Sequence, residues 1–481
     1  MPVNERKTQV LVIGAGPGGY VGAIRLGQLG KQVLVAEQDR AGGVCLNWGC
    51  IPTKAMLHAV QTLRLAREAT SMGFHFAEPE KSLSQFAAWR SRVVERLMRG
   101  TEYLLRQNGV ELVKASAEFA DEKHVRLSCP DGSVTLVEAE RIIIATGSEP
   151  MALPGLEPDR ERIITSNEAV LLNARPQRML IIGAGAIGLE FASIYAGLGT
   201  EVTVVEIMDQ VLPGADRELA DVLERAVRKQ GINFMLETRV VAVSRGNALR
   251  VTLAHSSQPP AIGPEPLDVD SILVAVGRRP LTRGLALDRS GVKVDAKGYI
   301  EVNDRLETSQ LAVYAVGDVA RPPLLAHKAS REGLCVAERI AGSPFDLNLN
   351  AVPNCVFTDP ELATVGLTES EATARGYDVV TGKVPLTALG RAATLNRTEG
   401  LCKIVVDRKT DRVLGVHILA PEASSLIGEG ALVVEHGLTS EAIASTVHPH
   451  PTLSELMQEA AEAVHNKAIH ILNPQTGSAG R

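Results

Sequence analysis

One pattern occurs twice in this chain of 481 residues, and it limits the fold more than any other feature. A buried-strand run, Gln9-Val10-Leu11-Val12-Ile13, enters the turn Gly14-Ala15-Gly16-Pro17-Gly18-Gly19. An apolar-periodic segment from Tyr20 to Leu29 follows, and a second strand, Val33-Leu34-Val35-Ala36, ends at Glu37. The same order returns 169 residues later as Arg178-Met179-Leu180-Ile181-Ile182, Gly183-Ala184-Gly185-Ala186-Ile187-Gly188, a helix from Leu189 to about Leu198, and Val202-Thr203-Val204-Val205 ending at Glu206. In both copies the acid stands 23 residues after the first glycine. A strand, a G-x-G-x-x-G turn, a helix and a strand in that order form a βαβ unit of a parallel sheet. One such turn is a weak signal; two in matching context are a strong one. The first glycine permits the tight turn, the second lets a pyrophosphate approach the backbone, and the third closes helix onto strand. The phosphates then rest on unpaired N–H groups at the helix start. Glu37 and Glu206 stand where ribose hydroxyls can donate to them.

At roughly 150 residues per domain, the length suggests about three domains. Hydrophobic residues at 45% and charged residues at 22% are ordinary for a globular protein, and aromatics at 3% with 43 glycines favour α/β packing of small side chains. Two further strand-like runs end in small residues, Arg141 to Gly147 and Leu311 to Asp318, where glycine lets a ligand lie against the sheet's carboxyl ends. Asp318 can accept from hydroxyls of such a ligand or cap the next helix, and the two roles are compatible. A third run, Ile272 to Val276, ends at Gly277-Arg278-Arg279-Pro280. Residues 56–108 read as helices with charged faces and 110–140 as a small antiparallel excursion; 148–155 and 277–280 are candidate linkers, and 255–268 is a surface loop or hairpin tip. Beyond about residue 350, strands at 364–366, 400–407 and 413–419 and helices at 424–436 and 452–467 read as an α+β region without a nucleotide motif. The polar tail 473–481 reads as disordered.

Composition excludes several roles. Lys and Arg number 50 against 56 Asp and Glu, a net charge of −6, so no basic surplus points to nucleic acid. No apolar run is long enough to span a bilayer, and the start MPVNERKTQ has neither a signal core nor transit-peptide character. The expected compartment is therefore the cytoplasm, where six cysteines stay reduced by default. Cys129, Cys335, Cys355 and Cys402 are scattered and read as buried or inert thiols.

Cys45 and Cys50 are different. They lie in Gly42-Gly43-Val44-Cys45-Leu46-Asn47-Trp48-Gly49-Cys50-Ile51-Pro52-Thr53-Lys54, directly after the first acid. Pro52 suits the first turn of a helix, which puts Cys50 at a helix N-terminus, where the dipole favours a thiolate. Lys54 lies one helical turn on, on the same face, and adds positive charge. The four-residue gap suits a redox disulfide; two buried thiols or half a metal site remain open, although no second ligand pair at zinc spacing accompanies them. At His448-Pro449-His450-Pro451-Thr452-Leu453-Ser454-Glu455, a rigid turn before a helix sets a histidine near a carboxylate. Spacing alone leaves a capped structural turn there as open as a general acid–base.

GAGPGGY, GGVCLNWGCIPTK, IIATGS, GAGAIGLE, YAVGDVA and HPHPTLSE occur in this order across nearly the whole chain. Together they resemble the flavin-dependent pyridine nucleotide–disulfide oxidoreductases, and within them the branch that oxidises dihydrolipoamide. The resemblance implies an α/β fold of two Rossmann-like dinucleotide-binding domains plus a C-terminal α+β dimerisation domain. The parts would be an FAD-binding domain at 1–149, an NAD-binding domain at 150–277, a central domain at 278–349 and an interface domain at 350–481. It implies FAD on the first turn, NAD on the second, no metal, and a homodimer in which the His–Glu pair of one subunit faces the disulfide of the other. Matched by position, Cys45 is the interchange thiol, Cys50 the thiol next to the flavin, His450 the proton carrier and Glu455 its orienting carboxylate. Lys54 lies at the flavin and pairs with Glu190 near the nicotinamide. Gly14, Gly16, Gly19, Glu37, Ala115, Gly147, Asp318 and Ala326 match FAD contacts; Gly183, Gly185, Gly188, Glu206, Val240 and Gly277 match NAD contacts. The partner implied is a lipoyl-bearing acyltransferase of a 2-oxo acid dehydrogenase-type complex.

Three positions depart from the family pattern: Ala115 stands where glycine is usual, Leu281 where asparagine follows G-R-x-P, and Pro449 where a small residue is frequent. None removes a group the chemistry requires. Glu206 followed by Ile207, Met208, Asp209 and Gln210 favours a free 2′-hydroxyl over a 2′-phosphate, which disfavours a glutathione-reductase-like use of NADPH. No cysteine follows Cys402, which disfavours a mercuric-reductase-like enzyme. A non-catalytic subunit of a dehydrogenase complex is the reading from a different class, and the presence of both cysteines, the histidine and the glutamate argues against it.

Overall fold

Continuous β-branched runs that end in glycine build two parallel sheets, because strands covered on both faces carry no polar alternation. The computed structural model describes residues 4–77, 80, 82–172, 174–257, 265–343 and 347–473. In the first sheet Asn4–Ile13 pairs in parallel with Val33–Glu37 on one side and Val134–Ile144 on the other, and Val110–Lys114 extends the first edge. Val10, Leu11, Val12 and Ile13 are all buried. The excursion at 110–140 is an antiparallel arm, Ser116–Phe119 and His124–Ser128, that returns along Val134–Ile144. Val313–Ala315 comes back from far down the chain to pair in parallel with Ile142–Ile144. The helices Pro17–Gln28 and Ala326–Ile340 pack on this sheet.

The second sheet repeats the plan. Its order is Ile232–Met235, Glu201–Val205, Arg178–Ile182, Ser271–Val274 and Ile163–Ile164, all parallel, with the helix Ala186–Leu198 after the central strand. A separate antiparallel sheet, Thr238–Arg245, Leu249–His255 and Leu267–Val269, makes the hairpin around 255–268, of which residues 258–264 lie outside those described.

The two candidate linkers are not free connections. Ser148–Pro150 pairs antiparallel with Arg278–Pro280, so the chain leaves the first sheet and returns to it along one two-stranded ribbon. Two crossings side by side satisfy each other's backbone groups, which a lone linker would leave to water. Arg278 reinforces the ribbon, donating from Nε to Ser148 Oγ at 2.8 Å and from Nη2 to Ser148 O at 2.6 Å.

The C-terminal region is a five-stranded antiparallel sheet in the order Asn354–Val356, Glu361–Gly366, Val413–Ala420, Leu401–Asp407 and Val379–Pro385. Every residue of Leu401–Asp407 and Val413–Ala420 is buried. One face carries the helices Ala423–His436 and Glu455–Val464; the other reaches the second nucleotide region, where Lys403 Nζ meets Asp216 at 2.9 Å and Glu218 at 3.0 Å, besides Glu369 of its own region at 2.6 Å. The helix expected over 452–467 starts later, at Glu455, because Thr452 to Ser454 form the turn that holds His450. The tail expectation falls on 474–481, outside the described residues. Of the four scattered cysteines, Cys335 and Cys402 are buried, but Cys129 and Cys355 are only partly so. Among the described residues no helix is long and apolar enough to cross a membrane, and no cluster of three or more His, Cys, Asp or Glu is arranged to hold a metal ion.

Candidate active site

The two glycine-rich turns are built to one template. Gly14 and Gly183 lie at φ +100° and +104°, a conformation open to glycine, and a Cβ there would sit 2.5 and 2.6 Å from the carbonyl oxygens of Ala145 and Ala275. A Cβ on Gly19 or Gly188 would meet the oxygen of Gly14 or Gly183 at 1.9 Å. Gly16 and Gly185 are the N-caps of the helices Pro17–Gln28 and Ala186–Leu198, and no side chain caps either helix. The helix N–H groups are thus left for a ligand. Glu37 accepts from the amides of Ala15 at 2.7 Å and Asp39 at 2.8 Å; Glu206 accepts from Ala184 at 2.8 Å and Met208 at 3.0 Å. Burial raises the Glu37 carboxyl above its usual range, and those amide hydrogen bonds oppose it. Uncapped helix starts, space only a glycine leaves, and a carboxylate with lone pairs to spare fit a dinucleotide at each turn.

Other matched positions gather around the turns. Gly147 and Gly277 have φ of +73° and +129°, and no atom lies within 4 Å of a Cβ built on Gly147. Asp318 Oδ2 accepts from Ser148 Oγ at 2.6 Å, which links it through Ser148 to Arg278. Burial lowers the Arg278 guanidinium below its usual range, with Asp318 opposing. Ala326 opens its helix, again without a side-chain cap. Ala115 is buried and donates its amide to Glu37 O at 3.0 Å, so alanine stands there without breaking the strand end. Leu281 acts through its backbone, donating to Gly147 O at 2.9 Å and accepting from Thr146 Oγ1 at 2.7 Å. Val240 lies on Thr238–Arg245 at a bulge facing Leu253.

The cysteine loop lies directly on the first turn. Gly42 donates to Ala15 O at 2.8 Å, and a Cβ on Gly43 would come within 2.6 Å of Gly16 Cα. Buried Asn47 ties the loop by donating to Ala41 O and Gly43 O, both at 3.0 Å, and Trp48 donates to Asp39 Oδ2 at 2.7 Å. Cys45 ends up on the short helix Gly43–Asn47 and Cys50 at the first position of Cys50–Glu68. The two thiols are unbridged. Interaction with Cys50, with burial, pushes the Cys45 thiol up. Interaction with Cys45 lowers the Cys50 thiol to about 7 against its own burial, with Lys54 assisting and Glu190 opposing. Lys54 Nζ donates to both carboxylate oxygens of Glu190, at 2.9 and 2.8 Å. Glu190 is buried on the helix that the second turn starts, so this pair joins the two nucleotide regions beside the cysteines.

Residues 8–333 match the model of the family described as pyridine nucleotide-disulphide oxidoreductase, and residues 352–461 match its dimerisation domain. The chain belongs to the pyridine nucleotide-disulphide oxidoreductases. It is 48% identical over 467 residues to the dihydrolipoyl dehydrogenase of Thermus scotoductus, covering 96% of this chain and 99% of that one. It is 44% identical over 471 residues to dihydrolipoyl dehydrogenase 3 of Haloarcula marismortui, covering 97% and 98%. Among solved structures, LpdA from Mycobacterium tuberculosis matches with a TM-score of 0.87 at 30% identity, over 95% of this chain and 99% of its own.

Within the part that matches the dimerisation domain lies the second candidate centre. His450 Nδ1 and Glu455 Oε1 are 2.7 Å apart, and Glu455 Oε2 accepts the Thr452 amide at 2.8 Å. Burial works against the Glu455 carboxylate, yet the hydrogen bonds from His450 and Thr452 hold it below its ordinary range. With Nδ1 engaged, the imidazole presents Nε2 outward, and its side chain is 76% exposed. Glu455 is the partner the structure gives His450 within the chain; the cysteines lie in the other part of the molecule. His448 turns the other way, to Thr446 O at 2.9 Å and Glu429 at 3.1 Å. Ser148, Arg278, Thr452 and Phe357 all support these sites, and sequence reasoning gave none of them a role. Ser148 and Thr452 stand inside the IIATGS and HPHPTLSE motifs and Arg278 inside the candidate linker 277–280, whereas Phe357 lies in no segment that drew attention.

Proposed function

We propose that this family member oxidises protein-bound dihydrolipoamide to lipoamide and reduces NAD+ to NADH, as the names of its relatives indicate for them. The observation that carries this reading is the Cys45–Cys50 pair: two unbridged thiols, Cys50 at a helix N-terminus, in a loop seated on the first nucleotide turn. FAD, when bound, supplies the two-electron relay to the pyridine nucleotide. Gly14, Gly16, Gly19, Glu37, Ala115, Gly147, Asp318 and Ala326 would hold FAD. Gly183, Gly185, Gly188, Glu206, Val240 and Gly277 would hold NAD, and Lys54 and Glu190 would lie between the two.

The protein's own steps are thiol chemistry. With Cys45 and Cys50 joined as a disulfide, a thiolate of dihydrolipoamide attacks Cys45, and Cys50 leaves as the thiolate. His450 takes the proton from the substrate thiol, and Glu455 steadies the imidazolium that forms. The second substrate thiol then attacks the mixed disulfide, releasing lipoamide and the dithiol form of the enzyme. Cys50 carries the charge because interaction with Cys45 and the nearby Lys54 favour its thiolate at the helix N-terminus. Because His450 presents its free nitrogen outward in the dimerisation region, the reading requires a homodimer in which it reaches the cysteines of the second subunit. The chain would divide at 149, 277 and 349 into FAD, NAD, central and interface domains, would act in the cytoplasm, and would take its substrate from a lipoyl-bearing acyltransferase. NAD is favoured over NADP because Arg217, the first cation after Glu206, is already held by Asp209 at 2.7 Å and Asp221 at 2.9 Å.

The test is anaerobic addition of dihydrolipoamide to the purified yellow protein, then NAD+ or NADP+. A long-wavelength charge-transfer band that disappears on adding NAD+, as NADH forms, is the expected result. No band, or turnover with NADP+ alone, overturns the assignment.

A further inference from the structure

Phe357 has no part in the thiol chemistry, yet it touches the Lys54–Glu190 pair beside the cysteine helix start. Three segments far apart in sequence meet there. Lys54 comes from the helix Cys50–Glu68, Glu190 from Ala186–Leu198, and Phe357 follows the edge strand Asn354–Val356 of the C-terminal sheet. The Phe357 amide donates to Glu190 Oε1 at 3.1 Å, the same oxygen that receives Lys54. The Lys54 ammonium stands over the Phe357 ring, 4.5 Å from its centroid. The two contacts are complementary. The amide fixes the carboxylate, and the ring takes one face of the ammonium that the carboxylate does not.

The surroundings show what the ring does. Glu190 has 6% of its side chain exposed but Lys54 has 31%, so the pair is dry at one end and wet at the other. Lys54 and Phe357 both line a cleft of about 560 Å³ between the helices and the segment 357–361. The ring keeps water from one face of the ammonium, and a less hydrated charge acts more strongly on its neighbours. One such neighbour is Cys50, a helical turn before Lys54. Lys54 favours the Cys50 thiolate and Glu190 disfavours it, so the balance between them depends on how firmly the pair is held.

We propose that Phe357 is a positioning residue: its amide and ring hold Glu190 and Lys54 in register, so the dimerisation region sets the charge that faces the Cys50 sulfur. The inference rests on the reading of Cys45 and Cys50 as a reactive dithiol. It extends the role of the C-terminal region, which contributes to the electrostatics of its own subunit's cysteines as well as offering His450.

The experiment uses the flavin-loaded full-length protein as wild type, Phe357→Leu, Phe357→Met and Phe357→Tyr. Each is reduced anaerobically with dihydrolipoamide, and the charge-transfer band of the thiolate is followed against pH. The wild-type midpoint is expected near 7, with the band lost as pH falls. In Phe357→Leu and Phe357→Met the midpoint is expected to rise by about half a pH unit, a roughly threefold loss in the thiolate-to-thiol ratio at fixed pH. Phe357→Tyr, which keeps the ring, should titrate with the wild type. Leu and Met variants that titrate with the wild type overturn the proposal. So does a Tyr variant that moves with them, because packing volume would then matter and the ring would not. Should Leu fail to retain flavin, Met, the unbranched and adaptable side chain, carries the test. A wild type with no pH-dependent band overturns the dithiol reading itself, a result distinct from the other two.

Discussion

At the first glycine turn the second glycine lies under the cysteine loop, 4.0 Å from Gly43 Cα as measured from a Cβ built on Gly16; at the second, a Cβ built on Gly185 meets nothing within 4 Å. The acids differ in the same sense. Glu37 is bonded to the amide of Asp39, whose carboxylate receives Trp48 of the loop, whereas Glu206 is bonded to the amide of Met208, itself half exposed. The glycine clashes and the amide bonds to the acids agree between the copies to about two tenths of an ångström. One backbone solution to phosphate binding thus serves two ends. Each turn has a following segment bonded to it, Gly42 to Ala15 O at 2.8 Å and Leu212 to Ala184 O at 2.9 Å, and the first alone also crowds its second glycine. The difference lies in the segment after the second strand: a cysteine loop that reaches Gly16 after Glu37, and after Glu206 a stretch that buries Val211 and Leu212 without coming within 4 Å of a Cβ on Gly185.

The largest effect should separate the two ends entirely. Cys45→Ser is expected to lower dihydrolipoamide-dependent NADH formation by about a thousandfold or more, while NADH still bleaches the flavin through the second turn. Loss of both would mean the ends are not separable. Next come matched alanines at the third glycines. Gly19→Ala and Gly188→Ala meet the same 1.9 Å clash, and each should cost roughly 1–3 kcal/mol locally. The first should empty the protein of flavin; the second should leave it yellow with a raised KM for NAD+. Flavin-to-protein absorbance ratios and steady-state kinetics decide it, and flavin loss in both would erase the distinction between the two turns. Smaller is Glu206→Gln, which keeps shape and removes charge. A loss of about tenfold in kcat/KM for NAD+, near 1.4 kcal/mol, and a narrowed preference over NADP+ are expected. Smallest is Gly185→Ala. Because its Cβ enters open space, Tm should hold within about one degree, and only the KM for NAD+ should rise. A fall in Tm would show that the second turn is covered after all.

How much of this was legible without coordinates varies with the range of the forces involved. The turns, their acids and the cysteine loop depend on neighbours within about two dozen residues, where steric limits on φ and the run of β-branched residues act directly, so residue types at fixed spacing sufficed. The antiparallel C-terminal region was visible as texture, but the burial of both faces of Leu401–Asp407 and Val413–Ala420 was not, since it depends on a second region docking on them. The supposed linkers at 148–155 and 277–280 carry loop composition, and only their pairing, 130 residues apart, shows them to be a ribbon. His450 and Glu455 are near neighbours in the chain, yet their contact waited on the turn geometry that Thr452 helps to hold. Sequence by itself determined the family and the two nucleotide turns, and singled out Cys45 and Cys50 among the six cysteines, because these rest on local backbone sterics and on chemistry that few residue types possess. Tertiary structure alone decided that Phe357 meets Lys54 and Glu190 and that Ser148 joins Arg278 to Asp318. A hydrogen bond or a field at a few ångströms depends on where the fold brings distant residues, and no local pattern encodes that distance.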